Sequence, residues 1–370
     1  MPDPTSARTA PPSAAQPLFI LAMDHRASFG RTLFGVTGTP DGEQLAHMRD
    51  AKSLIFDAVG RIPSATLGPG RPGILVDEQL GADVARKAKQ AGFVLAMPVE
   101  VSGSDTVAFE YGDDFGDHVT KFDPDWVKVL VRFNPADPAG LRQSQIATLR
   151  RLSDWVTAVH RRWLIELLVP PTREQLAAHD GQAFYDRDVR PALTGQVIAE
   201  FAAAGLHPGI WKLEGYETAA GAGLVLDAVR ATGSPPSSCI VLGRDAPRRQ
   251  VDHWLTVAAP LEDYAGFAIG RSIWEEPVAD HLAGRTSRDI AEARIAERYT
   301  HFIERYLAAD AMPSQGRDTE PFTRIHPRLT PDREAIIRKA LEGADPRGTF
   351  LPAWMSQTLL AEVDALRAGG

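Results

Sequence analysis

Two charged residues interrupt short apolar runs. Lys212 stands in Ile210–Leu213 and Glu166 in Trp163–Val169 (WLIELLV). A buried charge without a partner is costly, so each needs a reason to be there. Burial disfavours the charged form of an amine, and a neutral amine can attack a ketone to form a Schiff base. A carboxylate on a neighbouring strand could move protons while that adduct forms and breaks. The other reading is a buried ion pair that braces the fold. Asp24, in Met23-Asp24-His25-Arg26, reads either as a loop cap paired to Arg26 or as an acid/base or hydroxyl-binding carboxylate. Gly243-Arg244 and Gly270-Arg271 are two Gly-Arg pairs. Glycine lets a phosphate approach backbone N–H groups, and arginine grips it bidentately. Their other reading is ion pairs with acids such as Asp245 and Glu275. Arg132 and Asp77 complete the expected substrate-binding set.

Metal chemistry finds little support. None of the ten histidines has HxH or HxxxH spacing, and a zinc site would need several to converge. A magnesium site built from Asp24, Asp77 and Glu78 is the weaker remaining option. Neither a metal nor a cofactor is expected. Cys239 opens an apolar run and reads as inert core. Among the other lysines, Lys52, Lys87 and Lys89 fall on expected outer helices and Lys121 in a loop. Lys339 is in the tail. Lys128 opens its strand and is expected at the wrong end of it for chemistry.

These residues need strands to position them. Short apolar runs alternate with longer amphipathic ones. The runs are Leu18–Met23, Gly73–Val76, Phe93–Met97, Val127–Phe133, Trp163–Val169, Ile210–Leu213, Cys239–Leu242 and Tyr264–Ile269. Helical spacing follows most of them, as in Glu43–Val59, Ala82–Gln90 and Ala139–His160. Eight such units predict an α/β fold, a closed (β/α)₈ TIM barrel. An open doubly wound sheet would need a phosphate loop or dinucleotide fingerprint directly after the first strand, and neither stands there. In the barrel, chemistry belongs at the carboxyl ends of the strands. Asp24, Asp77, Arg132, Arg244 and Arg271 fall there.

The chain has 370 residues, one cysteine and a formal charge of −8. One cysteine cannot make an internal disulfide, and no apolar run approaches the length of a membrane span. Residues 1–16 lack the apolar core of a signal peptide and read as a flexible tail. Residues 17–310 form the expected barrel. Residues 311–370 read as a linker and a short helical appendage, with amphipathic runs at Pro331–Leu341 and Ser356–Arg367. A cytoplasmic protein is expected, with a phosphorylated small molecule as its partner. The acidic balance supports neither nucleic acid nor membrane. A homo-oligomer is open.

LAMDHR at the first strand, WKLEG at the sixth, VLGRDAP at the seventh and AIGRSIW at the eighth resemble a bacterial class I aldolase family. It is the domain fused to the carboxyl end of some 5-dehydro-2-deoxygluconokinases, and it looks related to tagatose-bisphosphate and sulfofructose-phosphate aldolases. The resemblance covers about residues 17–308. It implies a (β/α)₈ barrel, a Schiff-base lysine at Lys212, a proton-shuttling glutamate at Glu166, a first-strand aspartate at Asp24 and a phosphate-binding arginine at Arg271. Gly243 and Arg244 match the loop after strand seven, where the tagatose enzymes carry a Ser-Ala-Gly-like stretch. Arg132 stands where those relatives often have lysine or tyrosine. The implied reaction cleaves a phosphorylated keto-sugar or keto-acid. The best substrate is 2-deoxy-5-keto-D-gluconate 6-phosphate, giving dihydroxyacetone phosphate and malonate semialdehyde in inositol catabolism. A tagatose-bisphosphate or sulfofructose-phosphate aldolase is one alternative. A non-catalytic sugar-phosphate sensor is another, and the Lys212–Glu166 pair argues against it, since binding alone needs no buried amine.

Overall fold

The structure, a computed structural model, describes residues 10–177, 181–233 and 237–311. Eight parallel strands close a barrel in chain order. They are β1 (Leu18–Ala22), β2 (Arg71–Leu75), β3 (Val94–Pro98), β4 (Trp126–Arg132), β5 (Trp163–Leu168), β6 (Ile210–Glu214), β7 (Ser238–Leu242) and β8 (Tyr264–Ile269). The expected TIM barrel is present. Strand limits shift by a residue or two, and the largest shift is at β2, which begins at Arg71.

Both faces of the strands are buried, so their sequences read as continuous apolar runs rather than alternating ones. Alternate residues fill two separate cores. Leu18, Ile20, Leu75, Ala96, Trp126 and Ile210 belong to the cluster inside the barrel. Phe19, Leu21, Ile74, Val127, Trp211 and Phe267 face the surrounding helices. This alternation decides which strand residues point into the mouth. On β1 the inward set runs Leu18, Ile20, Ala22 and then Asp24. On β4 it runs Trp126, Lys128, Leu130 and Arg132.

The seam between β8 and β1 is tight. A Cβ at Gly266 would lie 2.0 Å from the Leu18 carbonyl oxygen, and the backbone there has φ +120, so only glycine fits. The long helix Arg288–Asp310 covers this seam, and its Tyr299 and Tyr306 hydroxyls donate to the carbonyls of Phe19 and Tyr264.

Three local features differ from expectation. A short helix, Ala27–Phe34, follows β1. Its glycine and brevity hide it in the sequence, and packing of Phe29 against Trp274, with ring centroids 5.4 Å apart, holds it. The helix after β2 starts at Glu78, ahead of the expected Ala82, because Asp77 caps it by accepting from Leu80 N–H at 2.8 Å. Residues 10–16, expected as free tail, are tied to the barrel's amino end. The Ser238 hydroxyl donates to the Pro12 carbonyl, and Arg71 donates to the Ala10 carbonyl. The expected appendage, from residue 312 onward, lies outside the described residues. No helix among the described residues is long and apolar enough to cross a membrane.

Candidate active site

β5 and β6 pair with Glu166 directly opposite Lys212. Both side chains point inward, and Lys212 Nζ lies 2.7 Å from Glu166 Oε1. The other Glu166 oxygen is 2.9 Å from Lys128 Nζ. That ammonium also lies 2.8 Å from Asp24 and 2.5 Å from Glu100. Lys212, Glu166, Lys128, Asp24 and Glu100 therefore form one connected, buried cluster.

The placing of Lys128 corrects the sequence reading, which put it at the wrong end of the barrel. β4 begins at Trp126, and Lys128 occupies the inward step above the tryptophan that fills the barrel interior. Its long side chain then reaches the Asp24–Glu166 layer. The alternation Trp126, Lys128, Leu130, Arg132 was the signal available in the sequence. Asp24 also differs from the loop-cap reading. Its partner is Lys128, while Arg26 bonds Glu110 and the Glu100 carbonyl. Glu100 closes the cluster because the chain after β3 turns back, with Glu100 bridged to Phe109.

The electrostatics separate the two lysines. Burial alone would lower the Lys128 pKa, but Asp24, Glu100 and Glu166 overcome it and hold it well above the usual lysine value. Lys128 stays an ammonium. Burial would raise both Glu166 and Asp24. Lys128 and Lys212 instead hold Glu166 down at about 2 and Asp24 well below the usual carboxylate range. Glu100 goes the other way: burial and the Asp24 charge raise it against the pull of Lys128 and Arg26. Its Oε2 is buried without a hydrogen-bond partner. Three carboxylates face Lys128, whereas Lys212 has an ion pair with Glu166.

The expected phosphate site lies at the ends of β7 and β8. Gly270 precedes the helix Arg271–Leu282, whose amino end presents backbone N–H groups. A Cβ at Gly270 would lie 2.4 Å from the Ala22 carbonyl oxygen, so the chain passes β1 closely there. Arg271 pairs with Asp245 at 2.9 Å, while its Nε is buried without a partner. Arg244 pairs with Asp186 at 2.8 Å and with Glu214 at 3.0 Å. Both arginines thus have the ion pairs that the alternative reading foresaw, and only the pairing of Arg271 uses the acid named in it. Gly243 begins a turn whose next two residues, Arg244 and Asp245, have φ of 46° and 58°. Left-handed backbone at two non-glycine residues costs on the order of 1 kcal/mol each.

The remaining expectations divide. Asp77 is a helix cap and bonds buried Lys52 at 3.3 Å. Lys52, expected on an outer face, turns inward to the Met23 and His25 carbonyls. Lys121 lies in a helix and bonds Glu78. Asp24, Asp77 and Glu78 are thus each held by a different lysine, and no group of three or more His, Cys, Asp or Glu among the described residues is arranged for a metal. Arg132 ends β4 and donates to the Ser104 carbonyl at 2.9 Å. Cys239 is buried, and burial pushes its thiol well up. His25, between the two parts of the mouth, was not singled out in the sequence. Burial, with help from Arg271, pushes its imidazole down to about 3, and its Nδ1 is buried without a partner.

The barrel and its mouth define a TIM-barrel protein with a lysine–carboxylate centre. Among solved structures, the chain resembles fructose-bisphosphate aldolase from Plasmodium falciparum, solved with TRAP and a small-molecule inhibitor. The match has a TM-score of 0.57 and 13% identity and covers 82% of this chain and 93% of that one. At that identity the likeness is one of fold. Cgl0159 from Corynebacterium glutamicum also matches, with a TM-score of 0.49 and 14% identity over 81% of this chain and 92% of that one. A comparison with curated proteins finds no match. The chain belongs to the family described as "Uncharacterized protein conserved in bacteria (DUF2090)", whose model matches residues 6–310.

Proposed function

We propose that this protein is a metal-independent class I aldolase that cleaves a phosphorylated keto-sugar or keto-acid. The observation that carries the reading is the contrast between the two buried lysines. Lys128 is locked as an ammonium by three carboxylates. Lys212 faces one proton acceptor, Glu166, at 2.7 Å. Lys212 is then the amine that condenses with the substrate ketone, and Glu166 takes and returns its proton. In the cleavage step the substrate's β-hydroxyl gives its proton to the Glu166 carboxylate and the carbon–carbon bond breaks. The electron pair moves into the iminium to give an enamine. Two cations hold Glu166 down. Discharge of the Lys212 nitrogen in the enamine removes one of them, so Glu166 becomes a better base when a proton has to move. Lys128, as a fixed ammonium, stabilises negative charge developing on the substrate oxygen, and Asp24 orients Lys128. Protonation of the enamine and hydrolysis of the imine release the phosphorylated ketone and restore the amine.

Arg271, with Gly270 and the Gly243-Arg244 loop, would hold the phosphate. Arg271 exchanges Asp245 for the substrate, and its unpartnered Nε gains an acceptor. The substrate this reading favours is 2-deoxy-5-keto-D-gluconate 6-phosphate, cleaved to dihydroxyacetone phosphate and malonate semialdehyde in inositol catabolism. A cytoplasmic location goes with it. The test is borohydride reduction in the presence of dihydroxyacetone phosphate, followed by peptide mass mapping. One triose-phosphate adduct on the peptide containing Lys212 is expected. A label on another lysine, or no label, would sink the mechanism.

A further inference from the structure

Lys52, Lys128 and Lys212 are the buried lysines among the described residues, and the proposed mechanism uses only the last two. Lys52 stands on the outer helix Gly42–Val59, yet its side chain is wholly enclosed. Its Nζ donates to the carbonyls of Met23 and His25, at 2.9 Å for His25, and lies 3.3 Å from Asp77 Oδ2. Three acceptors match the three protons of an ammonium. Burial lowers the pKa of that ammonium, and the Asp77 and Asp24 charges pull against it. The Phe29 ring flanks it, 4.6 Å away.

Stability alone gives the helix no need of a charge here. Replacing a buried ion pair by apolar side chains of similar volume is often neutral. A methionine at this position would continue the face formed by Met48, Ala51 and Ile55. What the lysine adds is direction. Met23 and His25 are the chain neighbours of Asp24. The ladder of β1 with β2 ends at Ala22 and Leu75, and Met23 N–H adds a bond to the Leu75 carbonyl. Past that point the chain turns into the helix Ala27–Phe34, so strand pairing no longer fixes Asp24. Lys52 takes over that task, because one ammonium holds the carbonyls of both neighbours. Asp77 anchors the ammonium and is itself fixed as the cap of the helix that starts at Glu78. The Asp24 carboxylate then meets Lys128 at 2.8 Å. Asp24 is thus held by one buried lysine through its backbone and holds another through its carboxylate.

We propose that Lys52, anchored by Asp77, is a positioning residue of the active site, which fixes the backbone at Asp24 and through it the Lys128 ammonium. The inference rests on the aldolase reading and sends no proton through Lys52. It divides the reaction in two. Imine formation uses Lys212 and Glu166, which stand on paired strands in mutual register, and should depend little on Lys52. Making and breaking the carbon–carbon bond needs Lys128 at the substrate oxygen, and should depend on it strongly.

The test compares two rates in Lys52→Met. One is borohydride labelling of Lys212 with dihydroxyacetone phosphate. The other is addition of dihydroxyacetone phosphate to malonate semialdehyde or glyceraldehyde 3-phosphate, whichever the wild type uses faster. Labelling should stay near the wild-type rate. The kcat of addition should fall about 100-fold, the loss expected from a misplacement of about 1 Å, with KM little changed. Asp24→Asn should lower the same kcat at least as far. Adding Lys52→Met to Asp24→Asn should lower it little further, because residues that act as a unit are not additive. Lys52→Met leaves Asp77 without its cation, so Lys52→Met with Asp77→Asn is made as well, since asparagine keeps the helix cap. That variant should fold and show the same split between labelling and addition. Equal loss of labelling and addition, full additivity with Asp24→Asn, a smaller loss in Asp24→Asn than in Lys52→Met, or an unchanged kcat would overturn the inference. Failure of both Lys52 variants to fold would also overturn it, by making Lys52 a residue of the fold alone. A wild type that labels Lys212 but adds neither aldehyde leaves no bond step for Lys52 to serve, and the inference falls. Absence of label in the wild type would overturn the aldolase reading too.

Discussion

Beneath the ends of β4, β5 and β6 the charged groups are dry and bonded to one another, whereas at the ends of β7 and β8 two half-exposed arginines are bonded to acids from a turn, a helical segment and the end of β6. The Lys128 side chain is 2% exposed and that of Arg271 is 29% exposed. The first group stands on regular strands, fixed by the register of Glu166 with Lys212. The second stands on a turn with two left-handed non-glycine residues and on the start of a helix. Chemistry needs groups held to a fraction of an ångström, and packed strands supply that. Anion binding needs charges that water and a ligand can both reach. The two sides of the mouth are suited to these separate tasks.

The largest effect expected is at Lys212. Lys212→Ala should abolish the borohydride adduct and lower turnover by several orders of magnitude. Lys212→Arg should not rescue it, because a guanidinium stays protonated. Turnover near wild type in Lys212→Ala would break the claim that the dry side does the chemistry. Lys128→Met comes next. It leaves Asp24, Glu100 and Glu166 facing one another without their shared ammonium, and breaking a buried ion pair costs roughly 3–5 kcal/mol. Urea unfolding at neutral pH measures this. A loss under about 1 kcal/mol would mean that the cluster is hydrated and Lys128 is not its electrostatic centre.

The barrel was legible because parallel strands buried on both faces leave separate apolar runs, and eight of them appear in order. Lys212 and Glu166 were legible because each breaks such a run. Lys128 was not, because its backbone does lie near the start of β4 and only its long side chain, directed inward, reaches the Asp24–Glu166 layer. Asp24 was visible as a polar strand end, but its partner lies 104 residues away on β4, and no local pattern encodes that distance. Glu100 needed the turn that bridges it to Phe109. Asp77 was expected to bind substrate because the expected helix began further on, at Ala82; it caps the helix that starts at Glu78, and its neighbour in space, Lys52, comes from a helix that seemed to face outward.

On the wetter side the expected change is in binding rather than in folding. Arg271→Ala should weaken binding of phosphorylated substrate by about 3 kcal/mol, about 100-fold, within the range for removing one partner of a close charge pair. Its partner Asp245 is 47% exposed, so the acid left behind is hydrated and the fold should hold. The Michaelis constant of a phosphorylated ketose, compared with that of its unphosphorylated counterpart, measures the change. Equal shifts for both substrates would move the phosphate site away from β8.

His25 joins the two sides, between Asp24 and Gly270, and tests how far the dry region extends. Its imidazole has a folded-state pKa of about 3, below the usual 6.5, chiefly through burial. Between these values the unfolded chain binds a proton that the folded one does not, so acid favours unfolding there. The contribution is fully present above pH 6.5 and is lost as the pH falls toward 3, at about 1.4 kcal/mol per pH unit. Between pH 6.5 and pH 5 the wild type should therefore lose up to about 2 kcal/mol through this residue. Glu166 and Asp24 are held at about 2 and lower, so they remain ionised across that window. His25→Gln cannot titrate and should show a shallower fall in urea-unfolding free energy over the same interval. Subtracting the two curves removes the contribution of every other group, including Glu100. Parallel curves would show that the imidazole is hydrated in the folded protein, and would place the boundary of the dry region at Asp24.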